Sequence, residues 1–306
     1  MNSALIDIGS NSMRLSVYEL SNGSFRTLFR EKIMAGLAGF VVKKKLTPEG
    51  IDRACDGLLR FRETLKLLEI DDVSVFATAS LRNISNTDEA VGEISSRTGF
   101  SIDVISGFDE AVFGYLGAMR ELGMSSGVFV DIGGASAEIV TFTSGKLCGA
   151  NSIPIGSLRL YSDYVKRILP TKGALAKIDA RVKSELAAVP NGKSYDTIAA
   201  VGGTARATLK LARRLFDLPP GCVEIEMSAV EQLWQTLIKN DRAAIDLILK
   251  TEPERVHTIV PGLAILRGIA GKFSAKRMIV STYGVREGYL CSRKRSEILA
   301  TRKTES

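Results

Sequence analysis

The stretch LIDIGSNSMRLSVYEL (Leu5–Leu20) is repeated later in the chain as FVDIGGASAEIVTFT (Phe129–Thr143). Each copy is an apolar run that ends in Asp-Ile-Gly, followed by small residues and a second apolar run. The copies align without a gap, so that Asp7 matches Asp131, Gly9 matches Gly133, Ser12 matches Ser136 and Arg14 matches Glu138. An internal repeat in register predicts two like halves, each with the same tight, glycine-containing turn.

The length of the chain also predicts two domains. At 306 residues it exceeds the usual size of a single core. The pattern in each half is of short apolar strands joined by helices, which indicates an α/β fold with a mixed sheet. We place the N-terminal domain at residues 1–123 and the C-terminal domain at residues 124–306, close together over a cleft.

Local signals place several elements. Apolar alternation predicts strands over Ala4–Ile8 and Arg14–Leu20, and Asn22-Gly23 is a hairpin signal before a third strand. Thr47 is expected to cap a helix that begins at Pro48. Pro261-Gly262 is expected to break an otherwise helical pattern.

Composition excludes several classes of site. The chain has a single histidine, His257, so a histidine-rich metal centre and an HExxH site are ruled out. The four cysteines form no CxxC pair and are expected to be reduced thiols. No apolar run is long enough to span a membrane, and no signal peptide is evident, so a cytoplasmic protein with no membrane partner is expected.

The net charge of +7 favours anionic partners such as polyphosphate or nucleotides, although it also serves solubility. The basic clusters contain no interleaved aromatic residues, and the chain has one Trp. Stacking on nucleic-acid bases is therefore not expected, and we predict no nucleic-acid partner.

The two repeated turns are candidate phosphate-binding loops. Turns rich in Gly, Ser and Asn leave backbone N–H groups unpaired, and such groups bind anions. One such turn would be an ordinary hairpin, but two in register favour a divided phosphate site. The predicted phosphate-binding residues of the turns are Gly9, Ser10, Asn11, Ser12 and Arg14 in the first copy and Gly133, Gly134 and Ser136 in the second.

The carboxylates beside these turns are candidate metal ligands. Asp7 and Asp131 end their strands next to the turns and would repel phosphate unless they held Mg²⁺ or its waters. Glu138 leaves the second turn and could bind the metal or orient water; otherwise it is a half-buried strand residue beside a basic partner.

Gly202-Gly203-Thr204 forms a third candidate loop between a predicted strand and helix. Backbone N–H groups and the helix dipole favour an anion there, although the same residues suit any tight turn.

Glu110 and Arg82 are the candidate catalytic residues. Glu110 lies in the first turn of a predicted helix near the domain boundary, where it could act as a general base. The helix dipole alone also favours an acidic residue there, and position by itself favours this simpler reading. Arg82 follows a buried strand and could bind phosphate through two bonds, or it could be a solvated arginine.

Taken together, these segments resemble the exopolyphosphatase/guanosine pentaphosphate phosphohydrolase (Ppx/GppA) family. The resemblance rests on seven segments in the family's order along almost the whole chain: DIGSNSMRL (Asp7–Leu15), ATASLRNISN (Ala77–Asn86), SGFDEA (Ser106–Ala111), DIGGASAE (Asp131–Glu138), VGGTARA (Val201–Ala207), VPGLAIL (Val260–Leu266) and STYGVREG (Ser281–Gly288). No single segment is specific to the family, whereas the occurrence of all seven in this order is specific.

The resemblance implies a two-domain acetate/sugar kinase–Hsp70–actin-like (ribonuclease H-like) fold with its active site between the domains. It implies Mg²⁺- or Mn²⁺-dependent hydrolysis of the terminal phosphate of polyphosphate or of guanosine pentaphosphate, giving guanosine tetraphosphate. Glu110 matches the family's water-activating glutamate, and Arg82 matches its phosphate-contacting arginine. Asp131 and Glu138 match the carboxylates of its second phosphate loop.

The chain departs from the family pattern in several places: Ala135 replaces a glycine, Phe108-Asp109 stands where acidic residues are common, and His257 and Thr282 stand where aspartate is common. Two alternatives stay open, and only the second rests on the departures at Ala135, His257 and Thr282. One is an ATP-dependent small-molecule kinase of the same fold, and the other is a weakly catalytic regulator that binds guanosine polyphosphates or polyphosphate. The choice between substrates and the oligomeric state, including a homodimer, are also left open.

Overall fold

A computed structural model describes residues 2–21, 24–190 and 193–293. The chain divides into two compact units, Met1–Gly107 and Phe108–Ser306. The predicted hairpin turn Asn22-Gly23 lies outside the described residues.

Within its described residues, the first unit contains a five-stranded mixed sheet in the order β3-β2-β1-β6-β7. The pairs β3–β2 and β2–β1 are antiparallel, whereas β1, β6 and β7 run parallel. A short hairpin, β4–β5, lies outside this sheet. The strands of this unit are β1 (Asn2–Ile8), β2 (Met13–Ser21), β3 (Ser24–Ile33), β4 (Val41–Val42), β5 (Lys45–Leu46), β6 (Val73–Ala77) and β7 (Ile102–Val104).

Helices cover this sheet with apolar faces. The long helix α1 (Pro48–Leu67) begins with Pro48, and the hydroxyl of Thr47 accepts the N–H of Gly50, as the sequence predicts. Leu58 and Phe61 of α1 are fully buried against the sheet residues of the same core. The helices α2 (Ala79–Arg82) and α3 (Thr87–Thr98) follow β6, and a 3₁₀ turn spans Leu37–Phe40.

The second unit repeats this plan. Its described residues form a six-stranded sheet in the order β10-β9-β8-β11-β13-β12, in which β8, β11 and β13 are parallel. The other neighbouring pairs are antiparallel. The strands are β8 (Gly127–Ile132), β9 (Ala137–Thr143), β10 (Lys146–Ile153), β11 (Thr197–Val201), β12 (Glu224–Glu226) and β13 (Arg277–Val280).

The repeat seen in the sequence is a structural repeat. Asp7 pairs with Arg14 across β1 and β2, and Asp131 pairs with Glu138 across β8 and β9. The turns close with equivalent hydrogen bonds, from Gly9 N to Ser12 O at 3.2 Å and from Gly133 N to Ser136 O at 3.0 Å. The prediction of two like halves is confirmed.

The second unit contains more helix than the first. Its helices are α4 (Gly107–Leu122), α5 (Ser157–Tyr164), α6 (Lys172–Ala187), α7 (Gly202–Leu215), α8 (Met227–Leu237), α9 (Arg242–Thr251), α10 (Ile259–Phe273) and a further helix over 285–293, with a 3₁₀ turn at Pro253–Arg255. The expected break at Pro261-Gly262 is wrong. Pro261 lies in the first turn of α10, where its missing N–H group needs no partner within the helix.

The helix α4 belongs to the second compact unit, although the sequence placed it in the first domain. Three close contacts explain this. A Cβ on Gly114 would lie 2.6 Å from the Phe129 ring, and a Cβ on Gly117 would overlap the carbonyl of Gly284. A Cβ on Gly288 would overlap the carbonyl of Phe113 in the same way. The compact units therefore divide at Gly107, and the predicted boundary at residue 123 stays a sequence-based assignment.

A search of the described helices finds none that is long and apolar enough to span a membrane.

Candidate phosphate and carboxylate site

The parallel strands of the second unit bring three sequence motifs to one edge of its sheet. Asp131 is near the end of β8, Gly202 directly follows β11, and Ser281 directly follows β13. Since β8, β11 and β13 are parallel, these positions lie at the same edge. Ligands in open α/β sheets characteristically bind beyond the carboxyl ends of such strands.

Three predicted carboxylates come together there. Glu138 is buried, with 1% of its surface exposed, and Glu110 at the start of α4 is 8% exposed. Burial raises the pKa of Glu138 well above its ordinary value, and the negative charges of Glu110 and Asp131 raise this pKa further. Asp131 and Glu138 are opposite each other in the β8–β9 register, so their side chains lie on the same face of the sheet.

Two hydroxyl groups partly offset this repulsion. Ser152 on β10 donates to Glu138 Oε1 at 2.8 Å, and a hydrogen bond from Ser136 also favours the charged form. Ser152 is not among the residues predicted from the sequence. Its position opposite Glu138 in the β9–β10 register is the signal, and only strand pairing reveals it.

The Gly133–Ser136 turn is shaped for an anion. The N–H groups of Ser157 and Arg159 donate to the carbonyls of Gly133 and Gly134, both at 2.9 Å. These bonds fix the carbonyls on the α5 side of the turn. Among the described residues, the N–H groups of Gly134 and Ala135 donate to no protein acceptor. An ordered turn with unused N–H groups is an anion-binding arrangement.

The Gly202-Gly203-Thr204 loop is the start of α7, and no side chain caps it. Gly202 has φ +82°, and a Cβ there would overlap Oδ1 of Asp131. Only glycine fits this close approach of backbone and carboxylate. Thr204 donates its hydroxyl to the carbonyl of Ile132 at 3.2 Å, which ties the loop to the end of β8.

Arg255, which is not among the residues predicted from the sequence, is a further cationic side chain beside this loop. Its guanidinium lies so close to Gly203 that a Cβ on that residue would overlap it. Arg255 is separated from Gly203 by 52 positions in the sequence (from 203 to 255) and belongs to a 3₁₀ turn. No periodicity or motif spacing could have connected them.

The first unit carries the matching turn. The carbonyls of Ser10 and Asn11 accept the N–H groups of Ala38 and Gly36 at 2.9 and 3.0 Å. In the part of the chain that the structure describes, the N–H groups of Ser10, Asn11 and Ser12 donate to no protein acceptor. This turn therefore has the same unused donors as the second one.

Arg82 ends the one-turn helix α2 in the first unit. Its Nη1 donates to the carbonyl of Ile105 at 3.1 Å, which orients the guanidinium while leaving it half-buried. Asn86, which follows Arg82 in the same motif, holds both the N–H and the carbonyl of Leu46. The phosphate-contacting role of Arg82 stays a prediction.

The metal-binding role predicted for Asp7, Asp131 and Glu138 stays a prediction. In the ranges 2–21, 24–190 and 193–293, no three His, Cys, Asp or Glu side chains are arranged to hold a metal ion. Asp131 and Glu138 lie directly opposite each other across β8 and β9, and such a pair of carboxylates supplies the oxygen ligands that a divalent cation prefers. Mg²⁺ commonly binds through one or two carboxylates, with waters and substrate phosphates completing its shell.

Comparison with known proteins agrees with this architecture. The model of the Ppx/GppA phosphatase family matches residues 16–297. The chain belongs to this family. The structure of the Aquifex aeolicus Ppx/GppA member is similar over 97% of this chain and 98% of that one, with a TM-score of 0.80 and 24% identity.

An exopolyphosphatase structure from Cytophaga hutchinsonii covers 95% of this chain and 96% of its own, with a TM-score of 0.83 and 22% identity. These likenesses confirm the predicted acetate/sugar kinase–Hsp70–actin-like fold.

Two curated relatives are longer than this chain. The guanosine-5'-triphosphate,3'-diphosphate pyrophosphatase of Photobacterium profundum is 29% identical over 295 residues, which is 93% of this chain and 58% of the relative. The protein of the same name from Pseudoalteromonas translucida is 28% identical over 303 residues and is likewise covered over 58% of its length. The chain thus spans somewhat over half of the length of these relatives.

His257 and Thr282, two departures from the Ppx/GppA pattern, each contact identifiable side chains of the second unit. The His257 ring packs edge-on against Tyr161, with centroids 5.1 Å apart. Burial, and then the charge of Arg255, lower the pKa of His257. Thr282 donates both its hydroxyl and its N–H to the carboxylate of Glu121. An aspartate at this position would bring a second negative charge against Glu121.

Proposed function

We propose that this protein is a divalent-metal-dependent phosphohydrolase that removes the terminal phosphate of inorganic polyphosphate or of guanosine pentaphosphate. The observation that carries the proposal is the grouping of Glu110, Asp131 and Glu138 beside two loops with unused N–H groups. Acidic groups for a cation and N–H groups for phosphate are the requirements of phosphoryl transfer. The names of the curated relatives and of the C. hutchinsonii exopolyphosphatase support this substrate class.

The loops bind phosphate in this proposal. N–H groups of Gly134 and Ala135, and those at the start of α7, donate to phosphate oxygens. The phosphate-binding roles predicted for Arg82 and for the Gly9–Ser12 turn of the first unit are part of the same proposal. Because these donors are fixed by the fold, they stabilise developing charge without reorganising.

Asp131 and Glu138 would hold the Mg²⁺ or Mn²⁺ ion, which supplies charge neutralisation at the phosphate when bound. Glu138 is buried and surrounded by like charge, so it carries its negative charge far more easily beside a cation. Asp131 is held against the backbone of Gly202 and is therefore fixed next to the α7 loop.

Glu110 acts as the general base. It accepts a proton from the attacking water as the water oxygen bonds to the terminal phosphorus. The bond from that phosphorus to the bridging oxygen breaks, and the leaving phosphate takes the electron pair. The products are orthophosphate and a substrate shortened by one phosphate.

The test is a phosphate-release assay with the purified chain on polyphosphates of several lengths, guanosine pentaphosphate and ATP, with Mg²⁺ and with EDTA. We expect release from polyphosphate or guanosine pentaphosphate that EDTA abolishes. Glu110→Gln should lower kcat by about 10²-fold or more, since general-base catalysis contributes that much. Asp109→Asn is the matched control, because Asp109 is an exposed carboxylate in the same turn of α4.

Two outcomes would contradict the proposal. Full activity of Glu110→Gln would remove the assignment of the base. Tight binding of guanosine polyphosphates by the wild-type chain without turnover would instead support a regulatory binding protein.

A further inference from the structure

The C-terminal end of α4 is attached to the loop that follows β13. Glu121, in the last turn of α4, accepts hydrogen bonds at Oε2 from the Ser281 hydroxyl and from the N–H groups of Thr282 and Tyr283. Its Oε1 accepts the Thr282 hydroxyl at 2.8 Å. A carboxylate in a last helical turn is opposed by the helix dipole. The helix itself therefore does not explain a glutamate at position 121, whereas the hydrogen-bond donors of the loop do explain it.

The loop is itself hydrogen-bonded to the sheet. Ser281 is fully buried, and its N–H donates to the carbonyl of Ala200 on β11 at 2.9 Å. The residues that contact Glu121 are thus a direct continuation of the sheet whose edge carries Asp131. Attachment to this loop is attachment to that sheet.

Glu110 and Glu121 lie on one stripe of α4. With Gly114 and Gly117 between them, they are spaced by 4, 3 and 4 residues, which places all four on the same side of a helix. The two glycines let this side approach Phe129 and the carbonyl of Gly284 so closely that no Cβ fits. Eleven residues are about three turns, or roughly 16 Å along the axis. A rotation or slide at the Glu121 end is therefore transmitted to Glu110.

We propose that Glu121 is a positioning residue: its bonds to Ser281, Thr282 and Tyr283 hold α4 so that Glu110 stays beside Asp131 and Glu138. The inference rests on the proposed role of Glu110 as the base. Glu121 itself touches neither substrate nor metal in this scheme. It acts by fixing the axial and rotational position of the helix that carries the base.

The decisive variants are Glu121→Gln, Thr282→Asp and the two combined. Glu121→Gln places amide hydrogens against the N–H donors of the loop, and Thr282→Asp places a second carboxylate against Glu121. We expect each single variant to lower kcat by about 10- to 100-fold, because small misplacement of a catalytic group has effects of this size. KM should change less than about twofold, since the phosphate-binding N–H groups are unaltered.

The double variant should recover much of the lost kcat, because the introduced amide can donate to the introduced carboxylate. Glu231→Gln is the matched control. It removes a carboxylate that accepts hydrogen bonds from Arg267 and Gln235 on helices of the same unit, remote in the sequence from α4. We expect kcat of this control to stay within about twofold of the wild type.

Amide hydrogen exchange supplies a readout that does not depend on activity. Exchange over Gly107–Leu122 should rise in Glu121→Gln and not in Glu231→Gln. Unchanged exchange and unchanged kcat in Glu121→Gln would overturn the inference, as would an equal loss of kcat in the control. An inactive wild type with raised exchange in Glu121→Gln would instead refute the proposed function alone. If Glu121→Gln fails to fold, Thr282→Val, which removes one donor, takes its place.

Discussion

Gly202 offers a prediction in which stability and activity respond by different amounts. Its φ is +82°, a conformation that costs an L residue about 1–2 kcal/mol. A Cβ at this position would also overlap Oδ1 of Asp131. The side chain of Asp131 can rotate to relieve the overlap, so the stability cost of Gly202→Ala should stay close to the backbone term. The rotation would, however, carry the carboxylate away from Glu138 and the α7 loop.

We therefore expect Gly202→Ala to lower the free energy of unfolding by about 1–2 kcal/mol and Tm by about 2–8 °C. Phosphate release should fall much more, by about 10²-fold, because Asp131 is displaced. Gly173→Ala is the control, since Gly173 is in the first turn of α6 with no heavy atom within 4 Å of a built Cβ. That change should raise stability by about 0.5–1 kcal/mol and leave activity unaltered.

Urea denaturation of the intact chain measures the free energies, and the phosphate-release assay measures kcat. The reasoning would be refuted if Gly202→Ala kept both wild-type stability and wild-type kcat. It would also fail if Gly173→Ala lost activity to the same extent, since the effect would then belong to any added methyl group.

Three further predictions concern burial and charge in the second unit. Burial raises the pKa of Glu138, so above the ordinary pKa of glutamate the charge on this residue destabilises the folded state. The stability of Glu138→Gln relative to wild type should therefore increase as pH rises, and urea denaturation at pH 5 and pH 8 measures this difference. The same variant should lose activity. For Glu231, burial raises the pKa, but hydrogen bonds from Arg267 and Gln235 outweigh burial and lower it, so its stabilising contribution is present at neutral pH and is lost as pH falls through this lowered pKa. The Tm difference between wild type and Glu231→Gln should accordingly close between pH 7 and pH 3. Phe129→Ala should cost about 3–5 kcal/mol, since Phe129 is fully buried, and an unchanged urea midpoint would contradict its place in the core.

The sequence by itself determined the repeat and most elements. The two Asp-Ile-Gly turns, the Thr47 cap and the strands around the turns depend on residues close together in the chain, and local patterns report such interactions directly. The same is true of Gly202-Gly203, whose place between a strand and a helix is a local feature. The break expected at Pro261 was wrong because a proline signal is the same for a helix that breaks and for one that has just begun.

Only the tertiary structure decided which residues far apart in the chain are neighbours in space. The grouping of Glu110 with Asp131 and Glu138, the hydroxyl of Ser152 on Glu138 and the guanidinium of Arg255 on Gly203 all join segments that are separate in the chain. The same holds for α4, which the sequence assigned to the first half. The hydrogen bonds that Glu121 of α4 accepts from Ser281 and Thr282 span about 160 residues, and no periodicity encodes a contact at that separation. Burial and like charge then set the pKa of Glu138, a property that depends on the packed neighbours rather than on the residue.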